Sequence, residues 1–170
     1  MAVTTEIFET WRRPVQVIQR KLPAASEASL LAVLLGACGL MFVAQWPRLS
    51  REAFLAQEAA RANGTPLADV PTMQALLGIN LFVMMFVVPL LFYALAMLSH
   101  LLARLFGLKM SPIGARLALF WALLVTTPFM LFQGLVSGFI GAGAALNAVG
   151  IITALAFCYI WIRLMRGVSQ

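Results

Sequence analysis

The chain holds one histidine, His100, in the stretch LSHLLARLFG at 98–107. Arg104 follows four residues later, on the same face of any helix they share. In a sequence that is 62% hydrophobic, this is the one imidazole that could ligate a metal or carry a proton. Haem held between two imidazoles needs a second histidine, and Met84, Met85 and Met97 are ordinary occupants of an apolar helix. About 25 residues, enough for one membrane crossing, lie between Gln74 and His100. His100 therefore falls where a helix meets the interface. His100 and Arg104 make a candidate polar site facing headgroups, water or a neighbouring loop, and no cofactor is expected there.

Other chemistry is sparse. No Asp or Glu interrupts the long apolar runs, and HExxH, CxxC and paired carboxylates are missing. The glycine-rich GFIGAGAALN at 138–147 has no lysine to hold a phosphate. Cys38 and Cys158 are isolated within apolar runs, where thiols pack as small hydrophobes. No catalytic residue, metal ligand or cofactor set is expected. Asn80, Tyr93, Thr126, Thr127, Gln133, Ser137, Asn147 and Thr153 are uncharged polar residues within or beside the apolar runs. Such side chains hold helices together by hydrogen bonds of about 1 kcal/mol each. Thr126, Thr127 and Gln133 alternatively line a substrate path.

These residues must be positioned by membrane spans. A mean hydropathy of +0.95 and only 11% charged residues describe an integral membrane protein, and nucleic acid is not an expected partner. LGAC at 35–38 resembles a lipoprotein cleavage box, but the apolar run continues through GLMFVAQW, which reads as a span. Twenty uncharged residues separate Glu27 from Arg48, and thirty separate Asp69 from His100. Between Arg116 and Arg163 lie 46, which as one helix would extend roughly 69 Å, more than twice a hydrocarbon core of about 30 Å. Two crossings fit there. The expectation is an all-α, four-helix transmembrane bundle in one domain over 1–170, with spans near 28–46, 76–98, 117–137 and 145–163.

Charge sets the orientation. Arg12, Arg13, Arg20, Lys21, Arg104, Lys109, Arg116, Arg163 and Arg166 fall on the side of the N-terminus, against Arg48, Arg51 and Arg61 on the other. Nine against three puts both termini in the cytoplasm, and Trp46 and Trp161 sit at span ends where amphipathic rings collect. The arginine bias and abundant alanine point to a bacterium, hence to its inner membrane. Pro89 and Pro128 should kink the second and third spans.

Two segments do not cross. In TEIFETWRRPVQVIQRKL, residues 5–22, an apolar arc of Ile7, Phe8, Trp11, Val15, Ile18 and Leu22 opposes Arg12, Arg13, Gln16 and Arg20. An amphipathic helix is expected to lie on anionic headgroups, touching lipid through Phe8, Trp11, Arg12, Arg13, Val15, Ile18, Arg20 and Lys21. Pro14 should bend it at Arg13, and packing on the inner ends of the spans is the alternative. The loop from Arg48 to Pro71 should carry a short helix ending at Asn63–Gly64. For helix packing, Ala28, Ala32 and Gly36 repeat at fours, and Gly134 with Gly138 forms GxxxG.

HLLARLFG, the loop with Ser111 and Gly114, and ARLALFWALLVTTPF together resemble the bacterial Yip1-domain membrane proteins, as does TWRRPVQVIQR before the first span. That resemblance implies a membrane location. The eukaryotic members have five spans and engage Rab-type GTPases; four spans here do not carry that partner over. The residues favour a non-enzymatic scaffold or accessory subunit of a membrane complex, whose partners are lipid and other membrane proteins or itself. The alternative is a small transporter or channel between kinked helices.

The charge count makes the topology testable. In a cysteine-free background, cysteines at Ser169 and Ala60 should label from opposite sides of the membrane. Labelling of both from the periplasm would require an odd number of spans.

Overall fold

A computed structural model describes residues 3–105, 107 and 110–169; Lys109, counted above among the basic residues, lies outside them. The described residues are helical without strands, and four helical stretches are long and apolar enough to cross a membrane. The chain is a multi-pass, all-α membrane protein.

Two short helices come first, α1 (Val3–Arg12) and α2 (Pro14–Lys21). The break falls at Arg13, whose φ −137°, ψ 61° is the non-helical geometry that a following proline imposes. A 3₁₀ turn at Leu22–Ala24 leads to α3 (Glu27–Asn63). Ser26 starts α3 by accepting from the Ser29 amide at 3.3 Å, while Ser29 accepts from the Ser26 amide at 3.0 Å. Gly64, at φ 69°, ends it in the left-handed conformation that glycine adopts freely. The expected outer helix is therefore no separate element; it is the continuation of the first span beyond Pro47. Ala60 is buried within that extension, so its exposed neighbour Ala59 is the better place for a label.

The second span is composite. α4 (Met73–Phe82) passes through a π-helical turn at Val83–Val87 into α5 (Val88–Leu105). Pro89 cannot donate to the Met85 carbonyl, and its ring would strike that group in a regular helix. The wider turn relieves this, with the Val88 amide reaching back to the Val83 carbonyl. α6 (Pro112–Phe139) begins with Ser111 accepting from the Gly114 amide at 3.0 Å, and α7 (Ala144–Val168) returns.

Leu22, the start of α6 at Gly114 and the end of α7 at Val168 meet at one end of the bundle, where Arg116 also pairs with Glu27. The lead-in to α3, the start of α6 and the end of α7 thus lie together, as an even number of crossings requires, while α1 runs back along α6 towards Pro128 and Phe129. α6 is the axis. Every residue from Leu117 to Thr127 is buried, enclosed by α3, α5, α7 and α1. Leu30, Leu34 and Cys38 of α3, Ile160 and Leu164 of α7 and Val17 and Ile18 of α2 complete this core. The outer faces of α5 and α7, among them Leu90, Leu98, Ile151 and Leu155, are exposed and apolar, as bilayer contact demands.

α6 also shows how a proline is tolerated inside a span. Pro128 leaves the Leu124 carbonyl without its amide donor, and the Thr127 hydroxyl donates to that carbonyl at 2.7 Å. The adjacent Thr126 hydroxyl donates to the carbonyls of Ala122 and Leu123, each at 3.0 Å. At the far end, Arg51 donates to the last carbonyls of α6, Gly138 and Phe139, both at 3.3 Å. Its charge lies where a helix C-terminus favours a cation.

Candidate functional site

Polar side chains converge most densely where the N-terminal hairpin docks on α6. α1 and α2 fold back so that Lys21 donates to Glu6 at 2.6 Å and Arg20 donates to Glu9 at 2.8 Å. The Arg20 hydrogen bond and charge hold the Glu9 carboxyl below its ordinary value against the opposing effect of desolvation. A depressed carboxylate stabilises the fold fully above its unfolded value, and this is lost as pH falls through the lowered one.

Lys21 also sits 4.0 Å above the Trp121 ring, a cation–π contact at the edge of the core. Trp121 is 1% exposed, and its indole N–H donates to Thr10 Oγ at 3.0 Å. The Thr10 hydroxyl in turn donates to the Glu6 carbonyl at 2.7 Å. One residue of α1 thereby satisfies the largest buried side chain of α6. Beside it the Trp11 and Phe129 rings lie 5.4 Å apart, at a cleft of about 740 Å³ between α1 and Pro128.

The eight side chains assigned to lipid from the sequence divide. Phe8, 75% exposed, and Arg12 and Arg13 point outward. Trp11 is half-buried against Phe129, and Arg20 is partly exposed in its pair with Glu9. Val15 and Ile18 instead press on Gly167, where an added Cβ would come 2.6 Å from Ile18, and Lys21 is held by Glu6 and Trp121. Ile18 is fully buried, so protein and not lipid covers it. The hairpin is a docked part of the bundle with one apolar edge left open. Its contacts to Trp121 span 111 residues of chain, which no periodicity reveals. Glu6 and Glu9 before Pro14, with Arg20 and Lys21 after it, were the available signal.

The small-residue sets divide as well. Gly134 and Gly138 lie against the α3 backbone: a Cβ at Gly134 would stand 2.8 Å from the Ala44 carbonyl carbon, and one at Gly138 would stand 2.7 Å from that of Pro47. Ala28, Ala32 and Gly36 are exposed, with nothing within 4 Å of a Cβ at Gly36. They form no packing seam within the described residues. His100 is half-buried on α5 with Nδ1 lacking a partner among the described residues, and the Arg104 side chain is exposed. No group of three His, Cys, Asp or Glu comes together among the described residues. Comparison with protein-family models, with curated proteins and with solved structures finds no match.

Thr10→Val should leave the buried Trp121 N–H without an acceptor and destabilise the purified protein by about 1–3 kcal/mol. Thr10→Ser, which keeps the oxygen, should recover most of the thermal midpoint. Equal midpoints for parent and Thr10→Val would show that this bond does not hold the hairpin.

Proposed function

We propose that the chain is a non-enzymatic accessory or scaffold subunit of a bacterial inner-membrane complex, with both termini cytoplasmic. The observation that carries this reading is the fate of Thr126 and Thr127. Both are buried, and both spend their hydroxyls on carbonyls of their own helix. The polar residues best placed to line a central path serve to hold a proline-containing axis together. Transport driven by ions generally needs an ionisable group at mid-membrane, and the spans supply none there. The basic excess at the cytoplasmic ends of the proposed spans supports the orientation.

A subunit must present a surface to its partner, and the outward face around the π-helical turn offers a broad exposed apolar one: Phe86 is 67% and Leu90 72% accessible. A photo-reactive phenylalanine analogue at either position should form one discrete protein adduct in cells, and the same analogue at Phe8 should not form that adduct. Adducts to lipid alone at Phe86 and Leu90, together with solute flux through proteoliposomes of the pure protein, would favour the transporter reading.

A further inference from the structure

At the far end of the bundle, α3, α6 and α7 enclose a half-open cleft of about 410 Å³, within the range of small-ligand sites. Two side-chain ladders run down it at one-turn intervals. α3 contributes Met41, Gln45 and Arg48, and α6 contributes Met130, Gln133 and Ser137. Polarity is graded along both. Thioethers lie at the deep end, carboxamides in the middle, and a guanidinium and a hydroxyl at the shallow end, one turn from the point where Arg51 caps α6. Gly150 makes room for the Gln133 amide, whose nitrogen lies 3.2 Å from where a Cβ would stand.

Most of these polar groups have capacity to spare. Among the described residues, the side chains of Gln45, Gln133 and Ser137 have no hydrogen-bond partner. Arg48 Nε is buried with none, while its partly exposed Nη1 forms an ion pair with Glu52 at 3.5 Å, one turn further along α3. Thr153, also in the wall, spends its hydroxyl on the Val149 carbonyl at 2.8 Å. A buried donor without a partner is costly, so an occupant able to accept a hydrogen bond from Arg48 Nε and the neighbouring amides is favoured. A guanidinium offers donors only, and beside two amides and a hydroxyl it selects an anionic acceptor. The methionines below select hydrocarbon.

We propose that this cleft binds one anionic amphiphile, its carboxylate or phosphate head on Arg48, Gln45, Gln133 and Ser137 and its chain descending towards Met41 and Met130. The site is independent of any accessory role, since it lies within one chain and uses neither the α5 face nor the hairpin.

The test uses the full chain purified in a neutral maltoside detergent, with radiolabelled dodecanoate and dioctanoyl phosphatidylglycerol as probes. At least one should bind saturably at one per chain, and which one does so identifies a fatty acid or a phospholipid as the source. Arg48→Gln should weaken binding about tenfold or more, the loss of a charge-assisted contact. Ser137→Met, which fills the cleft without changing charge, should also abolish it. Arg61→Gln, on the exposed extension of α3, should leave it unchanged. Thermal midpoints identify variants that fold, so Ser137→Met decides the matter if Arg48→Gln does not. Three results would overturn the proposal: no saturable binding of either probe, equal binding by dioctanoyl phosphatidylcholine, or full binding by folded Arg48→Gln and Ser137→Met. Displacement of the bound probe by inorganic phosphate alone would reduce the site to a simple anion site and overturn it as well.

Discussion

The architecture depends on one backbone contact, the approach of α6 to α3 at Gly134 and Gly138. Within a bilayer, lipid chains are as apolar as leucine, so helices gain little from hiding apolar surface from one another. What draws them together is close van der Waals contact and backbone proximity, which small residues permit. Here the α6 backbone rests on the carbonyl groups of Ala44 and Pro47, with no space for a methyl group between. That contact fixes the outer halves of both helices. Lower down, Leu30 and Leu34 meet the fully enclosed stretch Leu117–Thr127. α7 and the hairpin then close the remaining sides of α6, with Gly167 admitting Val15 and Ile18 at the end where α7 finishes. The composite second span packs against the axis through Tyr93 on Phe120, ring centroids 5.0 Å apart, and through the buried Ala96.

An axis buried in this way cannot lean on water to satisfy its irregularities. Three departures from regular helix are met locally. Thr127 serves the carbonyl that Pro128 frees, Arg51 serves the carbonyls at the end of α6, and the π-helical turn accommodates Pro89 by widening the helix. Arg51 also links the extension of α3 to α6, so the far ends of these helices are held together by both a backbone contact and a charge. The unpaired groups that remain are informative for the same reason. Arg48 and its polar neighbours gather in a cleft, whereas Thr126 and Thr127 are spent.

Much of this was legible in the residues. Uncharged runs bounded by Glu27, Arg48, Asp69, His100, Arg116 and Arg163 mark four crossings because burying a charge in hydrocarbon is costly, and that penalty depends on composition and length alone. Pro14 ends α1 at Arg13 because the steric clash is local. Asn63–Gly64 stops α3 for a similarly local reason. What could not be read was which small residues meet which helix. Ala28, Ala32 and Gly36 offer the same spacing logic as Gly134 and Gly138, yet among the described residues only the latter pair finds a partner, because packing depends on which helices become neighbours. The amphipathic arc misled in the same manner: a face suited to lipid is also suited to α7, and Val15 and Ile18 took the protein surface. Arg48 and Arg51 read as loop charges because the sequence does not announce that α3 continues past Pro47.

The α3–α6 contact is tested most directly by adding one methyl group to each of two glycines and measuring thermal unfolding in detergent. Gly134→Ala must force the backbones apart and should lower stability by about 1–3 kcal/mol, the usual cost of overpacking. Gly36→Ala has open space and should be neutral or stabilising by up to about 1 kcal/mol, since alanine is the better helix former. A Gly134→Ala protein as stable as the parent, or a Gly36→Ala protein damaged equally, would contradict the account.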